Sequence, residues 1–451
     1  MRPEAIHAWL AAEPVFREAA AFVCRQGIAV YLVGGTVRDL LAGRASYDMD
    51  LAVAGDAMGL ARRLADAVGG AYVAMDAERD VARVVVRRTG EPRLIDLAGL
   101  RAGSIEDDLR ARDFTANALA VPLCAPERGV LDPTGGRDDL KARMLRVTHA
   151  AAFEDDPLRL LRGVRLRASL GWSIAPETER LMRAWAPALR RVSPERVRDE
   201  LALILSLDAA AGGLAYAHAL GLLEPALPAV NGAALSAEMP AGIAAVAGLD
   251  RLELAWGRDN ASDEEPLWAL PDALGGRLRA HLQEELSGGR TRRIALKLAA
   301  LLYPAGDVAG PVAEGLRLSA REVRLVAGAV EAAQRLRGGD LTRPPSRIET
   351  YRYFRRACEA GVAGALLAWA VSGGGNAEAT HVATLLRAWF EERTAIDPPP
   401  LLTGREVMDE LGISPGPGVG RALEALREAQ VQGLVRTPDE AREYLRGGND
   451  G

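Results

Sequence analysis

Residues 31–53 read YLVGGTVRDLLAGRASYDMDLAV, and this stretch decides how the rest of the chain is interpreted. A short apolar run leads into a Gly34-Gly35 turn, a brief helical pattern follows, and Asp48 and Asp50 open a second apolar run. Side chains at positions i and i+2 of a strand point to the same side, so the two carboxylates face one point. The pattern indicates a metal-nucleotide site, although a lone D-x-D pair can also lie on a surface strand by chance.

The glycine turn and the helix after it are suited to a triphosphate. Free backbone N–H groups at a helix N-terminus favour phosphate, and Arg38, one turn into the helix, can add a charged donor. Asp96, in the later run RLIDLAG, offers a third carboxylate from a separate strand. Mg²⁺ prefers carboxylate and phosphate oxygens, and two such ions can clamp the attacking and leaving oxygens of an in-line displacement. The residues therefore predict transfer from a Mg²⁺-bound triphosphate.

Composition sets the limits of the interpretation. A chain of 451 residues is too long for one core and suggests roughly two to four domains. No apolar run approaches the ~20 residues of a membrane span, and the N-terminus lacks the pattern of a secretory signal. The three scattered cysteines, Cys24, Cys124 and Cys358, predict neither a disulfide framework nor a zinc site. We therefore expect a reducing, cytoplasmic location and no association with a membrane.

Charge is distributed unevenly along the chain. The net charge is −5, which does not indicate a nucleic-acid binder, yet residues 141–200 carry a net charge of +5. A solvated helix face explains this excess as well as a polyanionic partner does. Next to a nucleotide site the second explanation gains weight, and the arginines of residues 157–190 then become candidates for contacts to RNA phosphates.

The pattern of apolar residues predicts an α+β protein, with a small mixed sheet at the N-terminus followed by an all-helical remainder. Loops are expected at Asn231–Met239 and Arg258–Pro266. The predicted strands are Ala29–Val33, Asp48–Val53, Ala71–Met75, Val81–Arg87 and Arg93–Leu97. Residues 1–28 are expected to be helical and to turn at Gly27. The further predicted helices up to residue 205 are Thr36–Ala42, Ala57–Val68, Ala116–Val121, Asp138–Ala142, Pro157–Leu170, Pro176–Arg190 and Pro194–Leu205.

A second constellation is RDFTANAL, which begins at Arg112. An arginine and an aspartate open a predicted helix whose Phe114 and Leu119 can pack under the sheet. Asp113 can simply cap this helix. In the functional alternative, Asp113 bonds a ribose hydroxyl and Arg112 bonds the phosphates.

Taken together, the motifs resemble those of a known family. LVGGTVRDLLAGRASYDMDLAV, RARDFTANALAV, LDPTGGRDDLKARMLR, FEDDPLRLLRGVRLRASLGW and SPERVRDEL occur in the order found in class II tRNA nucleotidyltransferases (CCA-adding enzymes) and bacterial poly(A) polymerases. The tail LLTGREVMDELGISPGPGVGRALEALREAQVQG is similar to the C-terminal part of that family. The resemblance covers most of the chain and is weakest between residues 205 and 395. It implies a nucleotidyltransferase head (1–130), a neck (131–205), a helical body (206–340) and a helical, tRNA-binding tail (341–451).

The resemblance also implies roles, position by position. Asp48 and Asp50 would hold the catalytic Mg²⁺, and Asp96 would be the third carboxylate. Asp132 and Gly135-Gly136 would form the hinge between head and neck. The nucleotide would be bound by Gly34, Gly35, Arg38, Arg112, Asp113, Asn117, Asp155, Asp156, Arg159 and Arg162. In the family the acid ahead of Asp156 is usually Glu, whereas this chain has Asp155.

The base-reading pair has a physical rationale. On a helix beginning near Pro157, Asp156 and Arg159 are three residues apart and lie on one face. A carboxylate accepts from an exocyclic amine and a guanidinium donates to a ring nitrogen or carbonyl, which suits cytosine and adenine. Uracil and guanine would leave polar groups unpaired, at about 1–3 kcal/mol each. The alternative is an ion pair within the helix, worth only ~0.3–0.5 kcal/mol.

The resemblance predicts an enzyme that adds C and A from CTP and ATP to the 3′ end of tRNA and releases pyrophosphate. Many members carry a longer flexible loop between the positions of Asp96 and Arg112, thought to help the switch from CTP to ATP. The segment is short here, which leaves CC-only addition open. The alternatives are a poly(A) polymerase and, in a different class, an inactive RNA-binding scaffold. The sequence does not indicate an oligomeric state.

Overall fold

The computed structural model describes residues 4–88, 91–101, 103–227, 238–256 and 272–447. The chain forms two compact units, Met1–Val192 and Ser193–Gly451. Across these described ranges, no helix is long and apolar enough to cross a membrane. The predicted loops at Asn231–Met239 and Arg258–Pro266 lie outside the described residues, apart from residues 238 and 239.

The first unit is built on a six-stranded mixed sheet, which confirms the predicted fold class. Its strands are β1 (Val30–Val33), β2 (Asp48–Val53), β3 (Ala71–Asp76), β4 (Val81–Val86), β5 (Arg93–Gly99) and β6 (Ala120–Pro122). Their order is β3-β4-β5-β2-β1-β6, and within this sheet β2 and β5 run parallel while the other neighbours are antiparallel. Two further short strands pair with each other, β7 (Met144–Leu145) and β8 (Ser173–Ile174).

The helices of the first unit surround this sheet and extend beyond it. Three 3₁₀ turns occur at Thr115–Asn117, Pro126–Arg128 and Ala186–Arg191. The α-helices are α1 (Glu4–Ala12), α2 (Pro14–Cys24), α3 (Gly34–Leu41), α4 (Ala57–Val68), α5 (Ile105–Arg110), α6 (Gly136–Ala142), α7 (Ala152–Asp155), α8 (Arg159–Leu170) and α9 (Pro176–Trp185).

Helix α4 shows why the prediction was accurate in the head. Its apolar residues recur at helical spacing and are buried, with Leu60 and Leu64 fully so. Asp56 caps its first turn by accepting a hydrogen bond from the backbone N–H of Gly59 at 2.7 Å. Gly69 ends it in the left-handed conformation. The predicted bounds of α4 and of β2 are confirmed to the residue.

The predicted helix Ala116–Val121 is wrong. Residues 115–117 form a single 3₁₀ turn, and β6 then pairs antiparallel with β1, with Ala120 opposite Val33. Local composition favoured a helix because the segment is rich in alanine. Burial against the sheet decided otherwise, since Ala118, Leu119 and Ala120 are all inaccessible to solvent.

Two helices predicted between residues 157 and 190 have different bounds in the structure. The helix predicted from Pro157 begins at Arg159, and Asp156 has an extended backbone (φ −148°, ψ 97°). A residue that precedes proline is disfavoured in the helical region, which explains the break. The helix predicted over Pro176–Arg190 ends at Trp185 and continues as a 3₁₀ turn that contains Pro187.

A tight junction joins α6 to the sheet. The carboxylate of Asp132 accepts hydrogen bonds from the backbone N–H groups of Gly136 (2.7 Å) and Arg137 (2.9 Å). A Cβ atom on Gly136 would lie 2.0 Å from the carbonyl oxygen of Thr115, so a larger residue cannot fit without moving the backbone. Gly135 has a positive φ of 78°. These contacts give the predicted hinge residues a structural reason, while the hinge motion itself stays a prediction.

In its described residues, the second unit is helical except for a short hairpin, β9 (Glu285–Ser287) and β10 (Arg290–Thr291). Its 3₁₀ turns are Tyr303–Val308 and Cys358–Ala360. Its helices are α10 (Pro194–Leu205), α11 (Ala210–Ala219), α12 (Leu223–Ala226), α13 (Met239–Trp256), α14 (Asp272–Gln283), α15 (Arg292–Leu302), α16 (Ala309–Gly315), α17 (Ala320–Arg337), α18 (Arg347–Ala357), α19 (Gly361–Val371), α20 (Asn376–Phe390), α21 (Arg393–Ile396), α22 (Gly404–Leu411), α23 (Pro417–Val431) and α24 (Pro438–Gly447).

The core of the second unit contains a buried charge cluster. Helix α19 is buried from Gly361 to Ala370. Lys297 on α15 is fully buried, and its Nζ lies 2.8 Å from Asp250 Oδ1 and 2.7 Å from Glu253 Oε2, both on α13. A buried charge is tolerated only when it is paired in this way. The cluster therefore fixes how α15 lies against α13.

The cysteine prediction needs correction, because Cys24 and Cys124 form a disulfide. Their sequence separation of 100 residues hides their proximity. The end of β6 returns beside the start of β1, where the N–H of Leu123 donates to the carbonyl of Val30 at 2.9 Å, and β1 follows the helix that ends at Cys24. Cys358 is free and exposed. The predicted cytoplasmic location loses the support it drew from unpaired cysteines and stays a prediction.

Removing this disulfide should weaken the first unit. A cross-link that closes a loop of about 100 residues restricts the unfolded chain and stabilises the fold by up to about 4.7 kcal/mol in the chain-entropy model. We expect Cys24→Ser to lower the free energy of unfolding by a few kcal/mol in oxidised protein, measured by denaturant titration. Cys358→Ser is the control and should change nothing. Three reactive thiols in native, unreduced wild-type protein would contradict the pairing.

Candidate active site

The predicted carboxylates meet at the boundary between β2 and β5. Met49 is fully buried, so its neighbours Asp48 and Asp50 point to the opposite side of β2. Asp96 on β5 lies directly opposite Asp50 in the parallel register. The Oγ1 of Thr36 donates to Asp50 Oδ2 at 3.0 Å, which ties the strand to the first turn of α3.

The environment of Asp48 and Asp50 opposes their ionisation. Burial raises the pKa of Asp50, and the nearby charge of Asp96 raises it further, against a weaker opposing effect of the bond from Thr36. Burial and the charge of Asp96 also raise the pKa of Asp48. A bound cation would remove this penalty, because it favours the ionised form of both groups.

Arg83 is a site residue that the sequence analysis missed. It lies on β4 directly opposite Asp96, and its Nε and Nη2 donate to the two oxygens of Asp96 at 2.7 and 2.8 Å. This bidentate bond raises the pKa of the Arg83 guanidinium. The sequence predicted β4 and β5 as strands, but the register that pairs these two residues was not visible in it.

The donor set fits a divalent cation that shares its ligands with a phosphate. In the residues that the structure describes, no three His, Cys, Asp or Glu side chains are placed to hold a metal ion by themselves. Two carboxylates on one side of β2 are the oxygen donors that Mg²⁺ uses when water and substrate phosphate complete its shell. Asp48 and Asp50 fit that role, while both oxygens of Asp96 already accept bonds from Arg83.

The glycine turn brings two arginines next to Asp50. Gly34 has a positive φ of 68°, and a Cβ atom there would lie 3.2 Å from Arg112 Nη1 and 3.7 Å from Asp50 Oδ2. A Cβ atom on Gly35 would lie 3.6 Å from Arg38 Nη2. The missing side chains therefore leave room between guanidinium groups and a carboxylate, at the N-terminus of α3. This cradle presents positive charge and the N-terminus of a helix, which are the features that favour a phosphate.

Arg112 is held in place by a buried acid, Asp108, which the sequence analysis did not single out. The Nε and Nη2 of Arg112 donate to Asp108 Oδ2 at 3.1 and 3.0 Å. Asp108 is 2 % exposed and also accepts from the backbone N–H of Arg101 at 3.2 Å. These bonds fix the guanidinium while its Nη1 faces Gly34.

Asp113 is the centre of a network that joins four predicted residues. Asn117 donates to Asp113 Oδ1 at 3.1 Å and accepts from Arg38 Nη1 at 2.7 Å, and Arg162 Nε lies 2.7 Å from Asp113 Oδ2. Burial alone would raise the pKa of Asp113, but Arg162 and the donors Phe114 N and Asn117 outweigh it and lower the pKa. Asp113 is thus an ionised group fixed inside the head, and the alternative of an α-helix cap is wrong because a 3₁₀ turn follows it.

The predicted base-reading residues lie where α7 passes into α8. Asp156 Oδ1 accepts from the N–H of Leu158 at 3.2 Å, so the pair is presented by a turn and not by one helix face. Arg159 donates to the carbonyl oxygens of Ala111 (2.8 Å), Ala152 (3.3 Å) and Arg112 (3.4 Å). The segment that precedes Asp113 is therefore bonded directly to the predicted base-reading arginine.

A carboxylate pair and a phosphate cradle in one small mixed sheet are the features of a nucleotidyltransferase head, and they define the class of this protein. Residues 30–146 match the family model described as the Poly A polymerase head domain. Residues 171–233 match the model described as a probable RNA and SrmB-binding site of polymerase A.

Known relatives place the chain more closely. It is 37% identical over 424 residues to the CC-adding tRNA nucleotidyltransferase of Geobacter sulfurreducens, with 93% of this chain and 92% of that protein covered. It is 35% identical over 430 residues to the A-adding tRNA nucleotidyltransferase of Deinococcus radiodurans, with 92% and 94% covered. The chain belongs to the tRNA nucleotidyltransferase family.

A solved structure agrees with the fold. The CCA-adding enzyme of Bacillus stearothermophilus in complex with CTP superimposes with a TM-score of 0.67 at 23% identity, over 97% of this chain and 98% of that one. The predicted family, the fold class and the assignment as an enzyme are confirmed. Neither poly(A) synthesis nor an inactive scaffold is favoured by these names.

Asp50→Asn should separate stability from activity. The folded state raises the pKa of Asp50, so between the unfolded and folded pKa values the folded protein binds more protons, and its cation-free stability falls as pH rises. We expect Asp50→Asn to raise the thermal midpoint of the cation-free protein at neutral pH and to abolish nucleotide incorporation. Differential scanning fluorimetry measures the first effect.

Two comparisons sharpen this test. Mg²⁺ should raise the midpoint of wild-type protein and have no effect on the variant. Asp66→Asn, at an exposed position on α4, is the matched control and should leave stability and activity unchanged. A midpoint of Asp50→Asn below that of wild type would contradict the electrostatic argument.

Proposed function

We propose that the protein adds CC to the 3′ end of tRNA from CTP, with the residues of the head and neck in the roles given below. The observation that carries the choice of product is the segment between Asp96 and Arg112. It is short, and the described part of it is tied down along its length. Leu100 N donates to Val53 O at 3.0 Å, Arg101 N donates to Asp108 Oδ1 at 3.2 Å, and Ser104 caps α5.

The proposed chemistry is an in-line displacement. The 3′-hydroxyl of the tRNA attacks the α-phosphate of the nucleotide, a new P–O bond forms, and pyrophosphate leaves with the electron pair of the broken bond. Asp48 and Asp50 would hold Mg²⁺, which supplies charge neutralisation at the reacting phosphate. Gly34, Gly35 and Arg38 bind the triphosphate oxygens, and catalysis is mostly positioning and electrostatic stabilisation.

Arg112 and Asp113 complete the nucleotide site. Arg112, fixed by Asp108, directs Nη1 toward the cradle and donates to a phosphate oxygen. Asp113 accepts from a ribose hydroxyl, because Arg162 keeps it ionised and ready to accept. Asn117 links Asp113 to Arg38, so sugar and phosphate recognition are held in one frame.

Asp96 has a more limited role than a free carboxylate. A carboxylate has about four acceptor sites, and the two bonds from Arg83 leave the remainder available. Asp96 can therefore accept from the attacking hydroxyl while Arg83 keeps it oriented. This arrangement supports Asp96 as an assisting residue and Asp48 with Asp50 as the primary pair.

Asp156 and Arg159 select the base. The carboxylate accepts from the exocyclic amine of cytosine, and the guanidinium donates to the adjoining ring nitrogen and carbonyl oxygen. Because Arg159 is anchored on the carbonyls of residues 111, 112 and 152, its position is set by the same backbone that carries Arg112. Base selection and phosphate binding thus share one support.

A second candidate product is favoured by one comparison. The relative from Deinococcus radiodurans is named as an A-adding enzyme and is nearly as similar as the CC-adding one. The base-reading pair admits adenine as well as cytosine, since both bases offer an amine beside an unprotonated ring nitrogen. A single A on tRNA ending in CC is therefore the alternative product.

An extension assay decides between these products. Transcripts of tRNA that lack the end, or end in C or CC, are incubated with labelled CTP or ATP and Mg²⁺. We expect incorporation of C until the end reads CC and none of A. Incorporation of one A on the CC transcript would replace the CC proposal, and Asp48→Ala and Asp50→Ala protein should incorporate neither nucleotide.

Removing the guanidinium should relax nucleotide choice. Arg159→Ala leaves polar edges of cytosine unpaired, at about 1–3 kcal/mol, so kcat/KM for CTP should fall about 10-fold or more. The preference for CTP over UTP should shrink by a similar factor. Arg63→Ala, at an exposed position on α4, is the control. Unchanged discrimination in Arg159→Ala would contradict base selection by this residue.

A further inference from the structure

One histidine outside the predicted site connects two parts of it. His149 lies between β7 and α7, and its Nε2 is 2.9 Å from Asp155 Oδ2. Its Nδ1 is 3.0 Å from the Oγ1 of Thr148. The Thr148 hydroxyl in turn donates to the carbonyl oxygen of Arg112. His149 is not among the site residues predicted from the sequence.

The hydroxyl group of Thr148 decides the role of His149 Nδ1. The single proton of the Thr148 hydroxyl goes to the Arg112 carbonyl, so Thr148 Oγ1 accepts from His149 Nδ1–H. The Nε2 of His149 contacts Asp155 Oδ2 on the other side of the ring. Both ring nitrogens therefore act within one chain of contacts that runs from Asp155 to the carbonyl oxygen of Arg112.

This chain of contacts ends at the backbone of residues 112 and 113, two of the predicted site residues. The same Arg112 carbonyl accepts from Arg159 Nη1 at 3.4 Å, and the N–H of Thr148 donates to the Asp113 carbonyl at 3.1 Å. Phe114 and Val147 form an antiparallel bridge beside it. Residues 147–149 thus run along residues 112–114, and His149 links this pair of segments to the carboxylate next to Asp156.

We infer that His149 is a positioning residue for nucleotide choice: it holds Asp155, and with it the turn that presents Asp156, in register with Arg112 and Arg159. The inference rests on the base-selection role proposed above. Asp155 is one methylene shorter than Glu and is half-exposed, so it has few other means of orientation. A bond from a rigid imidazole supplies that orientation at a fixed distance.

The test measures discrimination between nucleotides and not activity alone. Steady-state kcat and KM for CTP and UTP are measured with a tRNA acceptor and Mg²⁺. We expect His149→Phe to reduce the ratio of kcat/KM for CTP to that for UTP at least fivefold, mainly through a higher KM for CTP. His149→Gln, whose amide can still contact Asp155 but has no second nitrogen for Thr148, should recover part of the ratio.

Two further variants locate the effect. Asp155→Asn should reduce the ratio by a similar factor, and the double variant His149→Phe/Asp155→Asn should be no worse than either single change, because both break one linkage. His7→Phe, at an exposed position on α1, is the matched control. Thermal midpoints near that of wild type confirm that each variant is folded, and the Gln and Asn variants serve where Phe does not fold.

The possible outcomes distinguish the positioning role of His149 from the base-selection role on which it rests. Unchanged discrimination in the His149 and Asp155 variants, with relaxed selection in Arg159→Ala, overturns the role of His149 and leaves base selection intact. Equal losses for CTP and UTP, confined to kcat, also overturn it, since they indicate a general structural effect. Retained discrimination in Arg159→Ala overturns both proposals.

Discussion

The parallel pairing of β2 with β5 is the constraint on which the catalytic head depends. It is the parallel pair in a sheet whose other described pairings are antiparallel, and it sets Asp50 opposite Asp96. Parallel neighbours cannot be joined by a tight turn and need a crossover of a dozen or more residues. Helix α4 and the hairpin of β3 and β4 form that crossover, and β4 returns alongside β5 to place Arg83 against Asp96. This crossover connection thus brings together the carboxylates of Asp50 and Asp96 and the guanidinium of Arg83, which orients Asp96.

The carboxylates of the head differ in the direction of their pKa shifts because their surroundings differ. Asp48 and Asp50 stand in surroundings that raise their pKa values, whereas Asp113, fully enclosed, has a lowered pKa because Arg162 and two donors surround it. Asp113 already has a positive partner in Arg162, whereas Asp48 and Asp50 are the carboxylates that we propose to hold Mg²⁺. In that proposal the unfavourable charge at β2 favours the binding of a cation at the expense of stability.

Sequence patterns predicted the head best where local signals coincided. Short apolar runs predicted β2, β4 and β5, and helical periodicity that stops at Gly69 predicted α4. They failed where a distant partner decided the conformation, as at β6, which pairs with β1, and at Asp156, whose extended backbone follows from Pro157. Arg83 was missed for the same reason, because it acts through a strand register, and the Cys24–Cys124 disulfide closes across 100 residues. Asp108 lies only four residues before Arg112, a spacing that the sequence does show, and it was not singled out.

The hydrogen bonds that anchor Arg159 bear on how a site without a nucleic-acid template can choose a nucleotide. Its guanidinium is held by backbone carbonyls of residues 111, 112 and 152 and not by a carboxylate side chain. A carboxylate partner would compete with the base for the same donors and would neutralise the charge. Carbonyl groups leave the cation its charge and fix its plane, which a bidentate contact to a base edge requires. Because one of those carbonyls belongs to Arg112, a shift of this proposed phosphate-binding residue would also move the proposed base-reading one. The proposed roles thus couple recognition of the two ends of a nucleotide through a single peptide unit.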